Sequence, residues 1–244
     1  MRQFTMKKFL VGLSLAVGLI GEAGAQVVAS VTHLSGVLIA RHPDGTTKLM
    51  SVKSDVSKGD TLITEKSTFA RLKFNDASEI VLRPGSELRV DQFNYDEAKP
   101  EADSLVVNML KGGMRAVSGL IGKRNRSAVQ YTTPTATIGI RGTHFGALYC
   151  NADCADIPTV GGNTPPDGLH VDVAQGAVDV TNGAGAVRVN TGEFSFVKAQ
   201  NSLPILVSPE RGVQVTMPPA ISQNKNKNVG GMSKGSTEAQ CAAQ

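Results

Sequence analysis

The side chains best suited to catalysis or metal binding are four histidines and three cysteines. Their spacing argues against catalysis. The histidines are scattered along the sequence: His33, His42, His144 and His170. None lies in an HExxH motif, and no serine lies in a GxSxG motif. The acidic residues fall mainly in turns, where Asx hydrogen bonds explain them. We therefore expect a protein that is not an enzyme, with no catalytic residues, no metal site and no cofactor.

Two of the three cysteines lie close together. In an oxidising compartment Cys150 and Cys154 could close a very short loop, a link worth about 2 kcal/mol before any strain. Cys241 is left over and could instead pair with either of them, or with another chain. Two thiolates do not complete a zinc site. A catalytic pair of Cys150 and His144 is disfavoured, because a disulfide would remove the thiolate.

Residues 1–25 have the three parts of a secretory signal peptide. A short basic stretch precedes an uncharged apolar run, residues 9–20, which is too short for a bilayer core that needs roughly 20 residues. Small residues end the segment, which predicts cleavage between Ala25 and Gln26. We expect a periplasmic or secreted protein with no membrane span after cleavage.

The net charge of the chain without its signal peptide is close to zero. Three of the 25 basic residues and one of the 21 acidic residues lie in the signal peptide, which leaves 22 against 20, a net charge of +2. A chain so close to neutrality is not drawn to nucleic acid. The remaining basic cluster is interpreted as a solvated rim or loop: Lys111, Arg115, Lys123, Arg124 and Arg126.

Short apolar runs separated by turn residues follow the signal peptide. Residues 69–74 alternate apolar and polar, as a half-buried strand does, and residues 42–45 are typical of a hairpin turn. Gly112-Gly113 separate two predicted strands, 105–110 and 114–117. Later runs carry valines two apart, a weak internal repeat. The pattern predicts an all-β fold of many short strands, either a β-sandwich or a short β-solenoid-like stack.

The domain boundaries follow from the same composition. We place the domain at residues 26–215, with its core at 34–197. Residues 151–168 are rich in Asp, Asn, Gly and Pro and are predicted to be an exposed loop insertion. Residues 216–244 are polar and are predicted to be a disordered tail.

The segment around Thr133-Pro134 has the longest low-charge run of the chain. Pro134 fixes one φ angle and biases Thr133 towards extended geometry. Ile138 and Ile140 should point to one face of a strand, while Gly139 leaves the other face open for close backbone approach.

Arg141 follows this strand directly. Lying between Ile140 and Gly142, it is predicted to be partly buried and to need acceptors, with three aspartates as candidates: Asp60, Asp76 and Asp91. The alternative is that it grips a ligand carboxylate or phosphate. We expect a positive φ at Gly142 and a bond from Thr143 back to the turn.

The segment Thr133 to Phe145 resembles the "TPxAxxxxRGTxF" signature of the FecR family of periplasmic domains. The matching residues are Thr133, Pro134, Ala136, Arg141, Gly142, Thr143 and Phe145. Upstream, residues 110–115 resemble the family's "LxxGxxR" strand and residues 59–86 its "GDxxxT" stretch. Downstream, a "VxxGxVxV" strand also has a counterpart. The likeness covers about residues 34–197.

The resemblance implies a binding or scaffolding domain whose signature residues are structural. It implies a protein partner in the cell envelope, and a role in signalling or scaffolding. Family members that control sigma factors have a cytoplasmic region and a transmembrane helix, whereas a cleavable signal peptide is expected here. The alternative is a module that binds carbohydrate or a cell-wall polymer, with three tyrosines as its only stacking candidates: Tyr95, Tyr131 and Tyr149.

Overall fold

The computed structural model describes residues 26–218 and residue 221. The predictions for the signal peptide, Ala25, Cys241 and most of the tail lie outside these residues. One helix, α1 (Leu120–Arg124), and three short 3₁₀ turns accompany seventeen strands in the described part. The strands are β1 (Val27–Leu34), β2 (Leu38–Arg41), β3 (Thr47–Met50), β4 (Asp55–Ser57), β5 (Thr61–Thr64), β6 (Ala70–Phe74), β7 (Glu79–Leu82), β8 (Glu87–Asn94), β9 (Ser104–Val117), β10 (Val129–Thr132), β11 (Thr137–Ile140), β12 (His144–Cys150), β13 (Gly168–Gln175), β14 (Ala177–Asn182), β15 (Gly185–Asn190), β16 (Phe194–Val197) and β17 (Ile205–Val207).

The strands form one continuous hydrogen-bonded network that is divided into two layers. Layer A has the order β4-β1-β6-β7-β9-β12-β13-β16-β17, and layer B has the order β3-β2-β5-β8-β9-β10-β11-β14-β15. All neighbours are antiparallel except β9 and β10, which are parallel. From β9 outwards, the chain alternates between the layers as it adds strands.

Strand β9 belongs to both layers and connects them. Residues 104–111 pair with β8 in layer B, and residues 112–117 pair with β12 in layer A. The turn from one layer to the other comes at Gly112, which has a φ of 75°. A Cβ there would lie 2.6 Å from Cα of Ser86. The prediction of two strands separated by Gly112-Gly113 was therefore wrong, because the glycines bend a single strand instead of ending it.

The two layers enclose a single apolar core. Aromatic side chains meet across it: Phe74 of layer A lies 5.7 Å from Phe93 of layer B, and Tyr131 of layer B meets Phe145 of layer A edge-on at 5.1 Å. The core consists mostly of Val, Leu, Ile and Ala. The prediction of an all-β fold is confirmed, since two layers face each other as in a sandwich while the chain alternates between them as in a stack.

The outer face of layer A is covered by two segments without strands. Residues 151–167 and residues 208–217 meet through backbone hydrogen bonds, such as Val160 N–H to Gly212 O at 2.8 Å. A second apolar cluster forms beneath them from Leu148, Cys150, Cys154, Val213 and Val215, with Ile157 and Met217 packed against it. Thr216 and Met217, at the start of the predicted tail, contact this surface.

Three strands and the helix could not be recognised from the sequence pattern. The strands β3, β4 and β17 are three or four residues long, too short for an alternating pattern to stand out. The helix α1 has only five residues. It is held by the buried Asp76, whose backbone carbonyl accepts from Leu120 N–H at 2.8 Å.

Candidate functional site

The first part of the signature is a tight turn between β10 and β11. The Thr133 hydroxyl donates to the Ala136 carbonyl at 2.8 Å and accepts from the Ala136 N–H at 3.1 Å. The Thr133 N–H also donates to that carbonyl, at 2.9 Å. Pro134 lies inside this ring of bonds, where its fixed φ suits a turn. The residues Thr133, Pro134 and Ala136 thus form the connection between two strands of layer B.

The second part of the signature carries the chain from layer B to layer A. Gly142 has a φ of 71°, as predicted, and nothing lies near the position of its missing Cβ. Thr143 bonds with Ser118 at the end of β9: the Thr143 N–H donates to the Ser118 hydroxyl, and the Ser118 N–H donates to the Thr143 carbonyl, both at 2.9 Å. Phe145 then enters the core against Tyr131.

Arg141 is not partly buried, and none of the three predicted aspartates is its partner. Its side chain is 43% exposed, and its Nε donates to Asp179 Oδ2 at 2.7 Å on the neighbouring strand β14. Arg188 donates to the other oxygen of Asp179 at 2.8 Å. Burial alone would raise the pKa of Asp179, but hydrogen bonds from Arg188 and Arg141 lower it.

The three aspartates proposed as partners of Arg141 each have another contact. Asp60 is buried and lies 2.7 Å from His42 Nδ1. Asp76 accepts from the Ser78 hydroxyl at 2.6 Å, and Asp91 pairs with Arg89. The expected close approach at Gly139 is also absent, because a Cβ there would be 3.9 Å from the nearest backbone atom, the Asp179 carbonyl oxygen.

A row of three residues crosses the outer face of layer A. Arg115 on β9, Gly146 on β12 and Asp172 on β13 are direct cross-strand neighbours. Because Gly146 has no side chain, Arg115 and Asp172 reach each other over it, with Nη1 and Oδ2 3.1 Å apart. Both side chains are largely buried, at 13% and 5% exposed. The missing side chain of Gly146 leaves a notch between these two side chains.

The backbone of Val215 lies in this notch. Its N–H donates to Asp172 Oδ1 at 3.0 Å, and its carbonyl accepts from Arg115 Nη1 at 2.5 Å. A Cβ on Gly146 would lie 2.5 Å from Cβ of Val215, so the notch depends on the glycine. Next along the segment, the Thr216 carbonyl accepts from Arg83 Nη1 at 2.6 Å. The arrangement can therefore bind an extended peptide through its backbone.

His144 completes the polar group around Arg115. Its Nε2 accepts from Arg115 Nε–H at 2.7 Å, which requires an unprotonated nitrogen. Burial lowers the pKa of His144, and the neighbouring Arg115 lowers it further. Burial raises the pKa of Asp172, against the effect of Arg115. Arg115 is thus a buried ion-pair partner, so its assignment to a solvated rim was wrong.

The sequence showed only part of this site. Arg115 belongs to the "LxxGxxR"-like strand, but Gly146, Asp172 and Val215 were not singled out. They are far apart along the chain and meet only through the pairing of β12 with β13 and the return of residues 212–217. An aspartate in the apolar run of β13, flanked by Val171 and Val173, was the available signal.

A disulfide lies next to the segment that occupies the notch. Leu148, the disulfide and the notch residues Arg115, Gly146 and Asp172 together form a groove on the outer face of layer A. Cys150 and Cys154 are bonded, with their Cα atoms 5.5 Å apart, which is one of the pairings left open by the sequence. Both cysteines pack with Val213 and Val215 in the second apolar cluster. The bond therefore joins the end of β12 to the insertion that contacts the C-terminal segment.

The tyrosines proposed to bind sugar do not form a stacking surface. Tyr131 is fully buried in the core. Tyr95 lies under the guanidinium of Arg124, 4.8 Å from its ring centre, and Tyr149 packs against the core. Binding of a carbohydrate polymer is therefore not supported. Within residues 26–218 no three His, Cys, Asp or Glu side chains are grouped to hold a metal, and no helix there has the length and apolarity to span a membrane.

The edge strands of the two layers differ in how they are protected. Edge strands commonly carry charges or bulges that prevent pairing with other chains. Lys48 lies on β3, Asp55 on β4, and Arg188 on β15. The edge strand β17 has only Ile205, Leu206 and Val207.

Residues at the β17 edge expose apolar surface. Leu203, Ile205 and Leu206 are 56%, 42% and 46% exposed. The strand pairs with β16 on one side, and among the described residues no strand pairs with its other side. This unprotected edge is a second candidate binding surface.

The fold defines a two-layered all-β domain with two candidate binding surfaces. Residues 60–179 match the sequence model of the family described as FecR protein, which confirms the predicted resemblance. The match runs from Asp60, directly before β5, into β14. The signature turn, Arg115, Gly146 and Asp172 lie inside it. Among curated proteins, none matches the chain.

Two solved structures show a distant likeness to the chain. Both are crystal structures described as a "putative anti-sigma factor" from Parabacteroides distasonis ATCC 8503, one at 2.50 Å resolution and one at 1.65 Å. Their sequences are 14% and 13% identical to this chain, with TM-scores of 0.45 and 0.44. Each comparison covers 62% of this chain and 60% of the other, so this chain spans about 60% of their length.

Proposed function

We propose that this chain is a non-enzymatic protein of the cell envelope that binds a protein partner by strand addition at β17. The observation that carries the proposal is the uncharged edge of β17, with Ile205 and Leu206 exposed. An unpaired edge offers backbone N–H and C=O groups to an incoming strand, and apolar side chains add affinity. The FecR domain supports a role in protein interaction and envelope signalling.

The location in the envelope rests on the predicted signal peptide. Cleavage between Ala25 and Gln26 would place the domain in the periplasm or outside the cell, where the bond between Cys150 and Cys154 is stable. Fractionation of the producing cells, with N-terminal sequencing of the mature chain, tests this part. A first residue of Gln26 in the periplasmic or secreted fraction is expected, and an uncut chain in the cytoplasm would contradict it.

The binding surface is tested by copurification from solubilised envelopes of the producing organism. The wild-type chain, a double variant Ile205→Lys/Leu206→Lys and a control variant Leu49→Lys are compared. Leu49 is also exposed and apolar, on the edge strand β3, next to Lys48. A specific partner should be lost only with the double variant, because charges on β17 oppose strand pairing. Retention by all three proteins would refute binding at β17.

A further inference from the structure

We infer that the groove around Arg115, Gly146 and Asp172 is a binding site for an extended segment of a partner protein, and that residues 212–217 of the chain occupy it in cis. This surface is separate from β17 and goes beyond the proposed function. The groove lies on the outer face of layer A, whereas β17 is at the edge of that layer.

The notch recognises backbone atoms. Asp172 accepts the N–H of Val215, and Arg115 donates to the carbonyl of the same residue. These two contacts bind one residue of an extended chain from both sides. A segment of another protein presents the same N–H and C=O groups, so it can replace Val215 without loss of these hydrogen bonds.

The apolar wall defines the side chains that fit. Val213 and Val215 are buried, while Gln214 between them is exposed. They pack against Leu148 and the disulfide. The partner segment should therefore have small β-branched apolar residues two apart, with no charge at either position.

The notch and the segment that occupies it come from separate parts of the sequence. All three residues of the notch lie within the FecR match at 60–179, and the occupying segment follows it by more than thirty residues. A buried ion pair is a weak contributor to stability compared with apolar packing. Its presence beneath a backbone segment is better explained by recognition than by a need to stabilise layer A.

Space for a longer partner remains beside the cis segment. A cleft of about 510 Å³ continues along the outer face of layer A, lined by Arg71, Glu79, Val81, Arg115, His144 and Gln175. The Nε of Arg71 is buried there without a hydrogen-bond partner among the described residues, 3.8 Å from Glu79 Oε2.

The test is binding of a labelled peptide with the sequence of residues 208–218 to the full-length chain. In the variant Val213→Lys/Val215→Lys the cis segment should leave the groove, and the peptide should bind at least about tenfold tighter than to the wild type, because cis competition is removed. The control variant Gln214→Lys changes an exposed side chain of the same segment and should bind like the wild type. A peptide with both valines replaced by lysine should not bind.

Equal binding to the wild type and to the folded double variant would overturn the proposal. If the double variant does not fold by circular dichroism, Val215→Ala replaces it, with an expected gain of about threefold, and no gain would overturn the proposal equally. Light scattering gives a further outcome. If the wild type is a dimer and the double variant is a monomer, the occupant is a second copy of this chain. That result would overturn the proposal of a different partner protein. Because β17 is unchanged in all of these variants, the results do not test the proposed binding at β17.

Discussion

Two arginines of the family motifs lie in opposite environments. Arg115 is buried against Asp172 and His144, whereas Arg141 is exposed beside Asp179. The buried pair is sensitive to the loss of one partner, because the remaining charge cannot be solvated. The exposed pair is screened by water and contributes little.

Replacing these arginines should therefore have unequal effects. Arg115→Ala should lower the free energy of unfolding by about 3 kcal/mol, since Asp172 would stay buried without its partner. The matched change Arg141→Ala should cost less than about 1 kcal/mol. Urea unfolding monitored by circular dichroism measures both values. Losses of equal size would contradict the assignment of Arg115 to the buried notch.

The histidines should make stability depend on pH. Burial lowers the pKa of His144, with help from Arg115, and burial also lowers the pKa of His170. The unfolded chain then binds protons more readily than the folded chain, so stability is highest above the ordinary histidine pKa and falls as the pH drops below it.

The change His144→Gln should reduce this dependence. A glutamine carbonyl can accept the Arg115 hydrogen bond but does not titrate. Between about pH 7.5 and pH 5.5 the variant should lose less unfolding free energy than the wild type. His170→Gln should act in the same direction. Slopes identical to the wild type in both variants would show that neither histidine contributes.

For single residues, the sequence predicted those features that depend only on residues nearby in the sequence. The burial of Ile138 and Ile140 and the positive φ of Gly142 follow from alternation and local sterics. The pairing of Arg141 with Asp179 was not predictable, because it depends on β11 lying beside β14. That neighbour is set by the topology of layer B, which no local pattern contains.

The connection from β11 to β12 carries the chain from layer B to layer A. Gly142 holds it in the left-handed region, while Gly139 lies in the middle of β11 with ordinary extended geometry. Both positions have room for a Cβ. Because neither site is crowded, a comparison of the two glycines isolates the effect of the positive φ at Gly142.

Alanine at the two positions should change stability in opposite directions. Gly142→Ala should cost about 1 kcal/mol, because a Cβ disfavours positive φ. Gly139→Ala should be neutral or stabilise by up to about 1 kcal/mol, because glycine in a strand has a high entropy cost. Thermal unfolding of both variants checks the signs. Destabilisation of equal size at both sites would contradict the structure of this connection.

The disulfide is a second element with a measurable role. Replacing Cys150 and Cys154 with serine should lower the free energy of unfolding by about 2 kcal/mol through loop entropy. It should also speed hydrogen exchange at the Val215 amide, since the wall of the groove loosens. The Cys241→Ser variant serves as the control. An unchanged Val215 exchange rate would separate the disulfide from the groove.

At the scale of the whole molecule, β9 joins both layers around one core. The strand content and the two-layered class were predictable from alternating apolar runs and turn residues. The order of the strands was not, because the single bend at Gly112 replaces the break that two adjacent glycines suggested. Among the described residues the layered arrangement leaves four edges, and charges on three of them are the reason for proposing β17 as the binding edge.

The most direct measurement is site-specific photocrosslinking in living cells that make the protein. A photoreactive amino acid is placed at Leu206 on β17 or, as a control, at Leu49 on β3. The account predicts one defined protein adduct from position 206 and none from position 49. Equal adducts from both positions, or none from position 206 while the protein remains folded and exported, would contradict binding at β17.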